Sequence, residues 1–340
     1  MHQRTSQIEL WSLALLEHAF DQKDSFSVHK IRFGNKALTL LLPSENPITT
    51  EIMSSLIVEK DLPSSFELIF WDCSDPEEVF SATKIFTPLI PGGQHALSDR
   101  TTICVDQHMD SLYVIDRVNE RILVWVPSYE SFPYWAKATP FRIPFSWIAA
   151  ENNGEMVHSA AIEIEGHGVL LAGNSGRGKT TTAINSALEG AQILGEDFIL
   201  YLDNSVFAVY SKAKIHPGPH LDHLISKGLQ VPPPIANQKS IVNLQNQPFL
   251  MIESFEPTIL YFPGIPDVYS PTDIVKISKA RALREFTGPS FIGLQGAGAH
   301  SMSRHANLVR TLDTWSLPMT GQLDRDLALM RQHLLSEVGG

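Results

Sequence analysis

The stretch Gly173-Asn174-Ser175-Gly176-Arg177-Gly178-Lys179-Thr180 constrains this chain more than any other feature. It fits G-x-x-x-x-G-K-[ST], and its surroundings give the pattern a mechanism. Before it, the apolar segment Val169-Leu170-Leu171-Ala172 has the length of a buried strand. After it, residues 181–189 carry Ala183, Ile184, Ala187 and Leu188 at helical spacing, and Gly190 is placed to stop the helix. A strand, a glycine-rich turn and a helix in that order make an anion cradle. The glycines let backbone N–H groups converge on phosphate oxygens, and the helix N-terminus adds its partial positive charge. Those eight residues and Thr181 form the expected binding loop, with Lys179 reaching the β- and γ-phosphates and Thr180 holding Mg²⁺. A nucleoside triphosphate is the expected ligand.

Composition bounds the rest. A chain of 340 residues has room for about two domains. With 43% apolar and 19% charged residues it reads as a globular protein with ample core. A formal net charge of −11 argues against a nucleic-acid partner, which needs a basic face. Cys73 and Cys104 show neither a disulfide framework nor metal-ligand spacing, so a reducing interior is expected. The N-terminal pattern Ile8, Leu10, Leu13, Leu15, Leu16, broken by Glu9 and Glu17, is amphipathic and is no signal peptide. No apolar run approaches the ~20 residues of a membrane span. A cytoplasmic protein with no membrane partner is the default expectation, and a homo-oligomer is left open.

Residues 1–127 read as an N-terminal α+β domain: a helix over 8–20, then strands over 27–33, 37–42, 66–71, 112–118 and 122–126. The last two look like a hairpin joined at Asn119-Glu120. Residues 128–150, rich in proline and aromatics, read as a packed connector. Residues 151–340 form the nucleotide domain. Its strands are expected over 160–164 and 169–172, paired through a turn at Glu165–Gly168, then near 193–194, 198–202 and 206–210. Irregular sequence follows, then helices over 273–286, 301–312 and 324–335. Strands interleaved with helices around such a loop imply a three-layer α/β core.

Phosphoryl transfer needs more than the cradle: a metal-holding carboxylate, and a carboxylate that orients or deprotonates the acceptor. Glu196-Asp197 follows Gly195 at the end of a short apolar run, where a strand could deliver it beside the loop. Neighbouring side chains on a strand point to opposite faces, a restriction that a bend at Gly195 would relax. A solvated acidic turn is the alternative. His158 opens the strand leading into the hairpin, near the end from which the loop emerges, and could hydrogen-bond a transferring phosphoryl group or be structural.

Together these residues resemble a family. His158 through Val169 (HSAAIEIEGHGV), continued by LLAGNSGRGKTTTAINSALEGAQILGEDFIL, is similar to the catalytic core of the HPr kinase/phosphorylase family. The approach PFRIPFSWIAAENNGEMVHSAAI and the C-terminal helices resemble, more loosely, a broader group of HPr-kinase-like proteins, some of which modify peptide natural products. The resemblance implies an α/β fold with a P-loop kinase core of the HPr kinase/carboxykinase type and a separate N-terminal α+β domain. It implies an ATP-dependent kinase that phosphorylates a hydroxyl, serine-like, on a peptide, protein or small molecule. By position, Lys179 and Thr180 would bind phosphate and Mg²⁺, and His158 would approach the transferred group. Glu196 would stand for the catalytic aspartate, and Asp197 for its partner and, with Thr180, a metal ligand. Three departures are visible: glutamate at 196 where the family has aspartate, Thr181 where HPr kinases carry glutamate, and no arginine-containing phosphorylase signature. HPr as substrate and dephosphorylation are therefore not expected.

Weaker signals remain. His216, His220 and His223 with Asp222 suggest a metal cluster, but Pro217, Gly218 and Pro219 break the helix that would gather them, and a turn lining the acceptor site is the better reading. The run Gly293 to Gly298 lacks the strand–helix context of a dinucleotide site. Lys239 could close over phosphate or be solvated, and Arg142 could cap the core or touch nucleotide. The competing function is a nucleotide-responsive binding module with little or no transfer. A carboxykinase-like enzyme shares the loop and acids but has no supporting substrate motif.

Overall fold

In the N-terminal part of the chain, runs of branched and aromatic residues are laid down as strands of one mixed sheet. The computed structural model describes residues 2–59, 61–72, 93–233, 238–264, 273–294 and 299–338. The chain divides into two compact units, the first running through Ile148 and the second from Ala149 onward, apart from a short piece at Leu294 that belongs to the first. The protein is mixed α/β. No helix among the described residues is long and apolar enough to cross a membrane.

The first unit begins with α1 (His2–Asp21), β1 (Phe26–Phe33), β2 (Lys36–Pro43), α2 (Pro47–Met53) and β3 (Ser64–Asp72). It continues through β4 (Gly93–Ala96), β5 (Thr101–Asp106), β6 (Ser111–Asp116) and β7 (Arg121–Val126) to α3 (Tyr134–Ala138) and α4 (Arg142–Glu151), whose last residues enter the second unit. The seven strands run in the order β1-β2-β3-β7-β6-β5-β4, with β3 parallel to both neighbours. Leu15, Leu16, Ala19 and Phe20 of α1 are buried in one core with Ile69, Val114 and Leu123 of the sheet. Strand β4 (Gly93–Ala96) escaped sequence reading because it is four residues long with no branched side chain, and β5 because Thr101, Thr102 and Asp106 leave it only a short apolar run. The turn after β6 spans Arg117 to Glu120, longer than Asn119-Glu120. The fully buried Asp116 organises it, accepting hydrogen bonds from the Val118 N–H (3.1 Å) and Asn119 Nδ2 (2.9 Å) and pairing with Arg100 at 2.6 Å.

Residues 128–150, expected as a packed connector, hold α3 and most of α4. Their prolines punctuate helix starts: Pro133 is the N-cap of α3, and Pro144 lies in the first turn of α4, where its missing N–H has no helical acceptor to lose. The aromatics pack inward, Tyr129, Phe132 and Phe141 each lying 5.0–5.3 Å from the Phe70 ring. Arg142 stacks over Trp135 at 5.2 Å.

The second unit is built from β8 (Glu155–Val157), β9 (Ser159–Ile164), β10 (His167–Ala172), α5 (Lys179–Leu188), β11 (Gln192–Gly195), β12 (Ile199–Leu202) and β13 (Ser205–Phe207). Then come β14 (Lys212–Ile215), α6 (Pro219–Ser226), β15 (Ser240–Asn243), β16 (Ser254–Phe255), β17 (Ile259–Gly264), β18 (Val275–Lys276), α7 (Lys279–Gly293), α8 (Ala299–Thr311), β19 (Asp313–Pro318) and α9 (Leu323–Val338). A six-stranded sheet runs β11-β9-β10-β17-β19-β18, with β10, β17 and β19 mutually parallel and β9 antiparallel to β10. Apolar residues of α5 (Ala183, Ile184, Ala187) are buried against Ile162, Val169 and Leu171. Gly168 is required in the β9–β10 turn region, because a Cβ there would lie 2.4 Å from the Glu256 carbonyl oxygen.

Two elements differ from expectation. Strand β17, which pairs with β10, and β19 beyond it lie where sequence reading saw irregular chain and a gap between helices. The helix expected over 273–286 starts six residues later, because Ser278 caps it, its hydroxyl accepting the Arg281 N–H at 3.3 Å. Cys73 and Gln295 through Gly298 lie outside the described residues. Cys104 is buried, which pushes its thiol up to about 12.

Between α7 and α8, His305 is 1% exposed, its ring stacked on Phe291 (5.4 Å) and edge-on to Phe286 (5.2 Å), with no hydrogen-bond partner for either nitrogen. Burial, helped by Arg304, lowers its pKa from 6.5 to about 4. The folded state therefore binds this proton less readily than the unfolded one. Stability is full above pH 6.5 and is lost as pH falls toward about 4, by roughly 3 kcal/mol in all. His305→Phe should flatten this acid limb in urea titrations at pH 7 and pH 5; an unchanged difference between the two would show that other groups set it.

Candidate functional site

The C-terminal ends of three parallel strands converge where an open α/β sheet places its ligands. Strand β10 ends at Ala172 and the chain enters the glycine-rich loop. Gly173 (φ 121°), Gly176 (φ 81°) and Gly178 (φ 92°) all take up backbone conformations that favour glycine. A Cβ at Gly173 or Gly176 would meet nothing within 4 Å, so glycine is needed there for conformation rather than room. Gly178 caps α5 without a side-chain bond, which leaves the first-turn N–H groups of that helix without a side-chain acceptor. Lys179, 5% exposed, donates from Nζ to the carbonyls of Gly173 (2.7 Å) and Asn174 (3.3 Å). Burial pulls its pKa down, with Glu196 and Asp197 partly restoring it.

The two acids face the loop because the chain turns between them. Strand β11 ends at Gly195, and Asp197 adopts φ 71°, which removes the opposite-face restriction of a straight strand. Thr180 Oγ1 donates to Glu196 Oε1, and the Lys214 backbone N–H approaches Glu196 Oε2 at 3.4 Å. Asp197 lies between Lys214 Nζ at 2.6 Å and His158 Nε2 at 3.2 Å. These surroundings push the pair apart. Burial and the neighbouring Asp197 charge raise the Glu196 pKa. At Asp197 burial acts in the same direction, but Lys214 and the His158 hydrogen bond outweigh it and hold the carboxyl well below the ordinary range. The Thr180 hydroxyl is joined to Glu196, while Asp197, expected beside Thr180 at a metal, faces His158 and Lys214.

His158 sits between β8 and β9. The register Ser159 opposite Ala172 carries it to the loop end of the sheet, as the hairpin predicts. Its ring stacks on Phe198 (5.1 Å, 23°), and its backbone N–H donates to Ser290 Oγ of α7 at 3.1 Å. Ser175, Gly176, Arg177, Gly178, Lys179, Thr180 and Thr181 line one cavity of about 280 Å³ together with His158, Glu196 and Asp197. Gly173 and Asn174 hold the Lys179 ammonium instead.

Lys214 was missed. It belongs to no motif, and only its place on the short alternating strand β14 hints at a side chain turned out of the core. His216, His220 and Lys239 also line the cavity, whereas His223 pairs with Asp324 at 3.4 Å. Among the described residues no group of three or more histidine, cysteine or acidic side chains is arranged to hold a metal. Thr180 and Glu196 nonetheless place two hard oxygen donors beside the loop.

No family model matches the chain, and no curated protein matches it. Among solved structures, the Hpr(Ser) kinase/phosphatase from Coxiella burnetii aligns over 55% of this chain and 99% of that one, at 14% identity and a TM-score of 0.30. That likeness is too distant to carry an argument about fold or function.

Proposed function

We propose that the second unit is a P-loop phosphotransferase of the HPr kinase/phosphorylase type, moving the γ-phosphoryl group of ATP to a serine-like hydroxyl on a peptide, protein or small molecule. One observation carries the reading. A buried ammonium on a glycine loop, a threonine–glutamate oxygen pair and a histidine–aspartate–lysine cluster meet in a single cavity. Loop amides and the first turn of α5 cradle phosphate oxygens, and Lys179 neutralises the charge that migrates between them. Thr180 and Glu196 fit Mg²⁺, a hard cation that would spread the charge developing on the phosphate oxygens.

Asp197, held ionised by Lys214, is the group that meets the acceptor hydroxyl. In a loose transition state the hydroxyl proton leaves late, so orientation matters more than basicity, and a low-pKa carboxylate is adequate. His158 holds the other side of Asp197 through Nε2 at 3.2 Å and lines the cavity with it. The roles of the two acids thus run opposite to those implied by position alone.

The test is transfer. Purified protein given γ-labelled ATP and Mg²⁺, alone and with cell extract, should label an acceptor at a stable hydroxyl ester. Tight ATP binding with no labelled product from any extract would leave a nucleotide-responsive binding module as the function.

A further inference from the structure

Two chain segments pass from one sheet of the second unit to another, and both carry residues of the site. Val157 ends β8 opposite Ile199 of the four-stranded sheet, and Ser159 opens β9 opposite Ala172 of the six-stranded sheet. His158 is the single residue between them and belongs to neither ladder. The return crossing, from β11 to β12, is made by Glu196, Asp197 and Phe198. The acids and the histidine therefore share the seam between the sheets, with His158 Nε2 3.2 Å from Asp197 and the His158 ring stacked on Phe198.

A residue outside both ladders has lost the usual partner of its backbone N–H. At His158 that N–H donates to Ser290 Oγ at 3.1 Å, across 132 positions of sequence. Ser290 is fully buried on α7, directly after Pro289 inside that helix. Its own hydroxyl proton points back to the Phe286 carbonyl (3.4 Å), which leaves an oxygen lone pair for the His158 N–H. A histidine ring is ordinarily oriented by the bond its second nitrogen makes, yet His158 Nδ1 is buried with no hydrogen-bond partner among the described residues. The backbone tether takes over that duty.

We propose that Ser290 is a positioning residue for phosphoryl transfer, holding the crossing at His158 so that the imidazole stays against Asp197. The inference rests on the phosphotransferase reading above and assigns a role to a side chain that does not itself line the cavity. In the full chain with Mg²⁺ and γ-labelled ATP, Ser290→Ala should lower the transfer rate in cell extract about tenfold, while ATP affinity by calorimetry moves less than about twofold. Adding Ser290→Ala to His158→Ala should cost less than about twofold more, because the residue through which it acts is already gone. Losses that multiply in the double variant, or an unchanged rate in Ser290→Ala, would overturn the positioning role while leaving the phosphotransferase standing. Amide exchange followed by NMR gives a readout apart from activity: the wild-type His158 N–H should be protected although it lies in no strand, and should exchange faster in Ser290→Ala. Rapid exchange in the wild type would overturn the tether. A wild type that transfers nothing to any acceptor would overturn the reaction and the role together.

Discussion

Lys179→Ala should lower phosphoryl transfer by about a thousandfold or more while leaving the protein folded. The ammonium is held at the mouth of the loop by two carbonyls, Gly173 O and Asn174 O, and is 5% exposed. Keeping a charge there costs desolvation, as its depressed pKa reflects, and the folded unit gains little from it without an anion to face. Removing it should therefore leave thermal stability nearly unchanged but strip the cradle of its only loop cation that is buried. Binding calorimetry and a transfer assay on the same preparation check both halves. Transfer within about tenfold of wild type would mean that the loop does not serve phosphate transfer.

Asp197→Asn should act on turnover and Glu196→Gln on the metal requirement. In Asp197→Asn the acceptor-facing carboxylate is gone, so transfer at saturating Mg²⁺ should fall by about 10²–10⁴-fold with the Mg²⁺ dependence unmoved. In Glu196→Gln the oxygen beside Thr180 loses its charge, and the Mg²⁺ concentration for half-maximal rate should rise. The reverse pattern would restore Glu196 as the acceptor-facing acid. Asp197→Asn also breaks the ion pair with Lys214, whose side chain is 12% exposed. The loss at neutral pH should be about 3 kcal/mol or more, measured by denaturant unfolding. Because the folded Asp197 pKa is depressed, its stabilisation is complete above the ordinary carboxylate range and disappears as pH falls below it, so the gap between wild type and variant should narrow in acid. The raised Glu196 pKa has the opposite sign, its contribution weakening as pH rises above the ordinary glutamate value.

Much of the site is readable along the chain because it is local. Loop, strand and helix are contiguous, and their glycines declare the backbone conformations they must adopt. The His158 placement follows from hairpin register, which the two-residue turn at Glu165-Gly166 fixes. What could not be read is the company the acids keep. Lys214 reaches Asp197 from β14, a strand too short for its periodicity to stand out. The turn at Asp197 that brings both carboxylates to one side depends on a single φ angle that no spacing encodes. Parallel strands β17 and β19 were missed for a related reason: their partners are distant in sequence, and a buried strand carries no alternation to mark it.

The amino-acid sequence alone determined the glycine-rich loop, the helix that follows it and the hairpin delivering His158, because each is set by neighbouring residues and backbone preference. Tertiary structure alone decided that Thr180 meets Glu196, that Asp197 is ionised between Lys214 and His158, and that Lys227 of the turn after α6 pairs with Asp324 of α9. Those outcomes arise from packing of segments far apart in the chain, where burial and Coulomb interactions act over a few ångströms of space and not along the covalent backbone.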